Sequence, residues 1–161
     1  VLEDADLDAA VNGAAFGAFA NSGQICMSTE RIVVVDSVAD EFVRKFADKA
    51  ASLPLGDPRK GPVVLGLVVD RATVDRCNAL IDDAVAKGAK VVVGGKSDST
   101  LMRATVLDHV TADREIYREE SFGPVKPVVR VSDEEEAIRV ANDNEFGLSA
   151  AVFTRDTARG W

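Results

Sequence analysis

Apolar residues recur along this chain with two periods, which alternate from one stretch to the next. Apolar positions three and four residues apart predict helices over residues 7–18, 38–50 and 70–85, after residue 132, and from Asp156 onward. Valine-rich runs of strand length predict strands over residues 31–35, 90–93, 104–107, 125–131 and 148–153. This alternation indicates an α/β domain with a largely parallel sheet flanked by helices.

The ends of the predicted helices carry residues that satisfy free backbone groups. Side-chain oxygens accept N–H bonds at a helix start, and the expected N-caps are Asp6, Ser37, Asp70 and Ser132. Ser37 and Ser132 each precede an acidic residue at the capping-box position, Asp40 and Glu135. Gly88 is expected to end the third helix in a left-handed conformation.

The predicted elements form one domain, residues 1–161. The chain begins at Val1 without an initiator methionine and stops at Trp161, inside the last predicted helix. Natural domain boundaries usually fall in exposed linkers. We therefore expect a single α/β domain fragment, truncated at both ends.

Composition and charge exclude several classes of function. The net charge of −8 argues against a surface for nucleic acid or anionic membranes, and residues 133–136, all acidic, fit a helix N-terminus. The most apolar stretch, residues 63–69, has strand length and is far shorter than a membrane span of ~18 residues. Two cysteines in 161 residues, without a secretory signal, predict a reducing, cytoplasmic setting, and no metal site is expected.

The two cysteines occupy different sequence environments. Cys77 lies on the apolar face of a predicted helix and is expected to be a small buried side chain. Cys26 follows a polar, helix-breaking turn and precedes a strand, a position where a thiol is accessible to a cleft. Accessibility suits a nucleophile, but many loop cysteines have no role. On its surroundings alone, Cys26 is a candidate nucleophile only.

Three motifs resemble those of the aldehyde dehydrogenase superfamily. Residues 19–26, Phe-Ala-Asn-Ser-Gly-Gln-Ile-Cys, resemble its catalytic-cysteine motif. Residues 119–125, Glu-Glu-Ser-Phe-Gly-Pro-Val, resemble its cofactor motif, and residues 144–154 resemble the segment that follows. The three occur in the family's order and span essentially the whole chain. The fold this resemblance implies is the catalytic domain of an aldehyde dehydrogenase.

The resemblance implies a role for each matching residue. Cys26 is the expected nucleophile that forms a thiohemiacetal and then a thioester, and its backbone N–H is half of the expected oxyanion hole. Glu120 is expected to bind the nicotinamide ribose hydroxyls, and Phe122 to pack beside the nicotinamide of NAD or NADP, with NAD favoured. Without the Phe-Gly-Pro sequence after it, Glu120 would be interpreted as a solvated acidic residue.

Several parts of the family's pattern have no counterpart in this sequence. These are the glutamate general base, the asparagine that donates to the oxyanion, the Rossmann-type cofactor domain and the C-terminal oligomerisation strand. We therefore expect the isolated chain to be inactive and the longer parent protein to be a homodimer or homotetramer. Ala104 stands where the family usually has proline, a change without an evident catalytic meaning.

Residues 24–31 look most like those of enzymes for aromatic aldehydes such as vanillin, salicylaldehyde or benzaldehyde. Met27, beside Cys26, either lines an apolar substrate pocket or fills space. The expected partner is thus a small aldehyde, oxidised to its carboxylic acid. The alternatives are a CoA-acylating aldehyde dehydrogenase and a non-catalytic structural member of the family.

Overall fold

Four strands form one sheet in the structure, a computed structural model that describes residues 1–160. They are β1 (Ile32–Val35), β2 (Lys90–Val93), β3 (Thr105–Asp108) and β4 (Val125–Val131), and their order across the sheet is β1-β4-β3-β2. Strands β1 and β3 run parallel to β4, whereas β2 pairs antiparallel with β3 at the edge. The predicted, largely parallel sheet is confirmed, with these four strands within one residue of their expected bounds.

Helices cover both faces of this sheet. They are α1 (Leu7–Phe19), α2 (Asp36–Ala51), α3 (Arg71–Ala86), the single turn α4 (Glu115–Arg118) and α5 (Glu134–Asn142). Short 3₁₀ turns occur at Ala20–Gly23 and Pro58–Lys60. No helix within residues 1–160 combines the length and apolar character that crossing a lipid bilayer requires.

The sheet divides the apolar core into two clusters, because alternate residues of a strand point to opposite faces. Ile32, Val34 and Val128 pack with the buried residues of α1 and α2. Their neighbours Val35 and Val129 pack with α3 and α4 on the other face. The alternating apolar residues of the valine-rich strands therefore provide the contacts that hold helices on both faces of the sheet.

Small side chains allow α1 to lie close to α2. Ala10, Ala14 and Ala18 are buried along one side of α1, and the Phe19 ring at its end stacks on Phe46 of α2, with ring centroids 5.7 Å apart. Alanine adds little bulk between two helices, and the aromatic pair fills the remaining space. This packing fixes the end of α1, where the Cys26 loop (residues 20–28) begins.

Three of the predicted helix ends are confirmed by hydrogen bonds or backbone angles. The Asp6 carboxylate accepts from the N–H groups of Asp8 and Ala9, each at 3.1 Å. Asp70 accepts from the Thr73 N–H at 2.8 Å. Gly88 has φ of +96°, the left-handed conformation expected after α3.

The two predicted serine N-caps are wrong. Strand β1 runs directly into α2, so Val35 occupies the cap position without a side-chain bond and Ser37 lies inside the first turn. At α5 the cap is Asp133, which accepts from the Glu136 N–H at 2.8 Å. Glu136 in turn accepts from the Ser132 N–H at 2.7 Å. The reciprocal bonding is therefore shifted by one residue from the predicted pair Ser132 and Glu135.

The predicted strand over residues 148–153 and the helix from Asp156 are also wrong for the described part of the chain. Leu148 and Val152 are exposed, and the backbone of this segment joins the fold through one bond, from the Leu2 N–H to the Phe153 carbonyl at 3.0 Å. A strand needs a neighbour that completes its hydrogen bonds, and none of β1–β4 pairs with this segment. Residues 157–160 form turns, and Trp161 lies outside the described residues.

Candidate active site

Cys26 lies at the tip of a tight turn. The Ser28 N–H donates to the Ile25 carbonyl at 2.9 Å, which places Cys26 and Met27 at the two central positions, and both side chains are exposed. Neither of their backbone N–H groups donates to an acceptor within residues 1–160. The turn therefore presents a thiol together with free hydrogen-bond donors.

The C-terminal end of α1 anchors one side of the Cys26 loop. The Ser28 hydroxyl donates to the carbonyls of Gly17 and Ala18 at 3.1 and 3.3 Å, and the Thr29 N–H donates to the Gly17 carbonyl at 2.9 Å. These bonds satisfy carbonyls that the helix itself leaves free at its end. The turn that carries Cys26 is thus tied to a rigid element.

Two side chains of the Cys26 loop bind the segment of residues 66–69. The Gly66 N–H donates to Ser22 Oγ at 3.1 Å, and the Val69 N–H donates to Gln24 Oε1 at 2.8 Å. The apolar stretch around Gly66 is thus a wall beside the loop rather than a strand of the sheet. Exposed Leu67 and Val69 face the same cleft as Gln24.

Backbone contact joins the Cys26 loop to the Phe122 loop (residues 119–124). A Cβ added to Gly23 would lie 2.3 Å from the Gly123 carbonyl oxygen, and one added to Gly123 would lie 2.4 Å from Cys77 Sγ. Both distances are far below van der Waals contact, so each position admits only hydrogen in this arrangement. Gly23 also has φ of +73°, which favours glycine. The two predicted motifs therefore meet directly.

Ser121 is the centre of a buried polar network under the Phe122 loop. Its N–H and hydroxyl donate to Glu30 Oε2 at 3.0 and 2.7 Å. Its hydroxyl accepts from Lys126 Nζ at 3.2 Å, and that ammonium lies 2.9 Å from Glu30 Oε1. Its carbonyl accepts from the Arg76 guanidinium at 3.0 and 3.1 Å. Ser121 is held at all three of its polar groups.

Burial shapes the ionisation of two groups in this region. Burial lowers the pKa of Lys126, and the negative charge of Glu30 opposes that shift. Burial raises the pKa of the Cys77 thiol, which favours the neutral form. Cys77 is fully buried, as predicted, and contacts the Phe122 loop through a long bond from its Sγ to the Ser121 carbonyl at 3.8 Å.

Glu120 and Phe122 flank Ser121 and face different surroundings. The half-buried Glu120 carboxylate accepts no hydrogen bond from any group in residues 1–160, so its oxygens remain available to a ligand. Phe122 has φ of +41°, and the residue is 36% exposed. An open cleft of about 680 Å³ lies beside it, lined by Asn21, Gln24, Leu67, Val69, Asp70, Ala72, Thr73, Arg76 and Phe122.

Of the predicted site residues, only Phe122 lines that cleft, although the Cys26 loop contributes Asn21 and Gln24. Sequence reasoning missed Glu30, Ser121 and Lys126. Lys126 did give a signal: it stands inside a valine-rich strand predicted to be buried, where a lysine needs a partner of opposite charge.

All 161 residues of this chain match the profile of the aldehyde dehydrogenase family. The chain belongs to the aldehyde dehydrogenase family. A vanillin dehydrogenase from Pseudomonas sp. (strain HR199 / DSM 7063) is 57% identical over 159 residues, which are 99% of this chain and 33% of that relative. The chain therefore spans about a third of the length of the relatives it matches.

Solved structures of aldehyde dehydrogenases share this fold. A salicylaldehyde dehydrogenase from Pseudomonas putida G7, complexed with salicylaldehyde, has a TM-score of 0.97 and 52% identity over 99% of this chain and 33% of its own. An NAD-dependent benzaldehyde dehydrogenase from Corynebacterium glutamicum gives 0.90 and 42%, over 98% and 34%. An NADP-dependent glyceraldehyde-3-phosphate dehydrogenase from Bacillus halodurans C-125, complexed with NADP, gives 0.94 and 39%, over 98% and 33%.

Proposed function

We propose that this chain is the cysteine-bearing part of an enzyme that oxidises an aromatic aldehyde to its carboxylic acid with NAD or NADP. The observation that carries the proposal is the turn at Cys26, where an exposed thiol and free backbone N–H groups lie together in a loop that contacts the Phe122 loop through Gly23. We propose that the whole reaction is catalysed by a longer protein that contains this sequence, which is called the complete polypeptide from here on.

The first step uses Cys26 as nucleophile. Its thiolate attacks the aldehyde carbon, a C–S bond forms, and the carbonyl electron pair moves to oxygen. The Cys26 N–H is free to donate to that oxygen, and a donor fixed in advance stabilises the charge as it develops. The product is the oxyanion form of a thiohemiacetal on Cys26.

The second half of the reaction needs a hydride acceptor and water. A nicotinamide cofactor, held by Glu120 and Phe122, would supply the acceptor for the hydride of the former carbonyl carbon. The thioester that remains on Cys26 is hydrolysed to the carboxylic acid, which restores the thiolate and releases a proton. The isolated chain has no residue that we assign as base for this water, so we propose that it is inactive alone.

The residues around Glu120 fit the sugar of a dinucleotide. A carboxylate without partners among residues 1–160 can accept two hydroxyl bonds, and its charge strengthens both. Phe122 offers an exposed ring beside it. Aldehyde dehydrogenases that use NAD and NADP both share this fold, and we favour NAD.

An aromatic substrate is supported by the chain's likeness to vanillin and salicylaldehyde dehydrogenases. Met27 supports this proposal, because the residue next to Cys26 is 61% exposed and its flexible thioether side chain can adapt to a flat apolar ring. The homodimer or homotetramer expected from the resemblance is likewise a proposal for the complete polypeptide.

Mass spectrometry after rapid acid quenching tests the proposal. The complete polypeptide is mixed with vanillin or salicylaldehyde, with and without NAD⁺ or NADP⁺, and the peptide containing Cys26 is analysed. We expect an aromatic acyl adduct on Cys26 only when oxidised cofactor is present, and the free acid as product. An adduct on another residue, or none with either cofactor, contradicts the proposal. An acyl-CoA product when CoA is added would instead identify the CoA-acylating reaction.

A further inference from the structure

An ion pair between a fully buried lysine and a largely buried glutamate connects the two motifs of the candidate site. Lys126 lies on the central strand β4 and is fully buried, with Nζ 2.9 Å from Glu30 Oε1. Glu30 follows Cys26 closely in the sequence, on the segment that leads from the Cys26 loop into β1. The pair thus links the segment after the nucleophile to the strand after the Phe122 loop.

Ser121 transmits this link to the predicted cofactor residues. Both of its donors reach Glu30 Oε2, and its hydroxyl accepts from Lys126. Glu120 and Phe122 are its two chain neighbours. A shift of Ser121 therefore moves both of these residues relative to the Cys26 loop.

The backbone of Phe122 needs such support. Its φ of +41° lies in the left-handed region, which non-glycine residues occupy only when their surroundings hold them there. Ser121 is fixed on one side, and Gly123, wedged between Gly23 and Cys77, is fixed on the other.

A buried pair of charges is a costly way to fill space. Taking Lys126 wholly and the Glu30 side chain largely out of water carries a desolvation penalty, and apolar residues of similar volume stabilise a core equally well or better. A pair that also directs several hydrogen bonds instead imposes one arrangement on the groups around it.

We propose that Lys126 and Glu30 are positioning residues, which hold Ser121 and so set Glu120 and Phe122 for the dinucleotide. This inference rests on the proposed function, because it assigns the ion pair to cofactor binding. Neither residue is proposed to touch the substrate or the cofactor.

The test measures position and cofactor affinity separately in the complete polypeptide. Hydrogen exchange of the Ser121 amide reports position, and NADH fluorescence titration reports affinity. For Lys126→Met we expect faster exchange at Ser121, NADH binding weaker by about tenfold, and iodoacetamide labelling of Cys26 within twofold of wild type.

The double variant Glu30→Gln/Lys126→Met separates positioning from stability. It removes both charges, so no unpaired charge stays buried and the urea midpoint should recover toward wild type. The network around Ser121 is still altered, so NADH binding should remain weak. If NADH affinity recovers together with the midpoint, the pair is only structural and the inference is overturned.

A second ion pair on β4 is the matched control. Arg130 Nη2 lies 2.8 Å from Asp108 Oδ2, near the end of β4 that is farther from the Phe122 loop, and Arg130→Met, which leaves the Asp108 carboxylate without this partner, should lower the urea midpoint without changing NADH affinity. If the control variant loses as much NADH affinity as Lys126→Met, the inference is overturned.

Failure of the proposed function can be told apart from failure of the positioning role. If the wild-type complete polypeptide binds neither NADH nor NADPH, the proposed function fails. If hydrogen exchange at Ser121 is unchanged in Lys126→Met, the positioning role is refuted.

Discussion

Gly23 and Gly123 meet so closely that neither can carry a side chain in this arrangement. A methyl carbon on Gly23 would lie 2.3 Å from the Gly123 carbonyl oxygen, and one on Gly123 would lie 2.4 Å from Cys77 Sγ. The cysteine motif and the Phe-Gly-Pro motif are thus assembled on each other through their glycines. The relative position of the two motifs therefore depends on the small volume of the Cys77 side chain beside Gly123.

The first prediction tests that space with Gly123→Ala. The added methyl collides with Cys77 Sγ, and overpacking a buried site costs about 1–3 kcal/mol. Removing the sulfur with Cys77→Ala should relieve the collision, because the next atoms lie at ordinary contact, 3.6 and 3.9 Å from the new carbon. We expect the double variant to be more stable than the sum of the single effects predicts.

Urea unfolding of wild type, both single variants and the double variant measures this coupling. Gly147→Ala is the control, since nothing lies within 4 Å of a carbon added there, and it should shift the midpoint little. Strict additivity of Gly123→Ala and Cys77→Ala would show that the sulfur is not what excludes a side chain at Gly123.

The second prediction concerns the reactivity of the two thiols. Cys26 is exposed at the tip of its turn, whereas Cys77 is buried and burial raises its pKa, which lowers its thiolate fraction near neutral pH. In the folded protein, brief iodoacetamide treatment should therefore label Cys26 well before Cys77. Peptide mapping gives both rates, and labelling in urea provides the control in which the difference should disappear. Faster labelling of Cys77 in the folded state would contradict this placement.

The elements that were predictable from the sequence are those whose residues interact locally. The valines of β1 and β4 alternate between two apolar faces, and the carboxylates of Asp6 and Asp70 bond to N–H groups three residues or fewer away. The exposure of Cys26 was predictable for the same reason, because the polar turn before it ends α1.

The remaining features depend on contacts that sequence spacing does not encode. Glu30 and Ser121 lie 91 residues apart, so the network that supports the Phe122 loop emerges only once β1 and β4 pair. Leu148 and Val152 alternate like strand residues, but alternation alone does not supply a pairing partner. The serine caps failed because strand geometry and a neighbouring aspartate decided where α2 and α5 begin.

The third prediction is that this chain alone does not turn over aldehyde. The proposed reaction needs a base for hydrolysis and a second oxyanion donor, and loss of one such donor typically costs ~100- to 1,000-fold in rate. A cofactor that is not held in place also forfeits the proximity that hydride transfer requires. NADH formation with benzaldehyde at high protein concentration measures this, with the complete polypeptide as control. Steady turnover by the isolated chain would mean that the active site has been misplaced.

The last prediction separates the roles of Glu120 and Cys26 in the complete polypeptide. Glu120→Gln keeps the size of the side chain and one acceptor oxygen but removes the charge that would strengthen the proposed bonds to the ribose hydroxyls. A hydrogen bond to a charged group contributes roughly 1.5–3 kcal/mol, so cofactor binding or hydride transfer should weaken by about one to two powers of ten. Acylation by an activated ester needs no cofactor, so esterase turnover should persist in this variant.

Cys26→Ser should instead abolish both activities, because a neutral hydroxyl without a matched base is a far poorer nucleophile than a thiolate. Dehydrogenase and esterase rates measured side by side distinguish the two variants, and Glu119→Gln is the control for loss of a neighbouring charge. Unchanged dehydrogenase kinetics in Glu120→Gln would refute the cofactor role, and full activity in Cys26→Ser would refute the nucleophile. Both activities need the Cys26 thiol, but only the dehydrogenase activity needs the cofactor. A Glu120→Gln variant that loses dehydrogenase activity and keeps esterase activity would therefore assign Glu120 to cofactor binding rather than to the reactivity of Cys26.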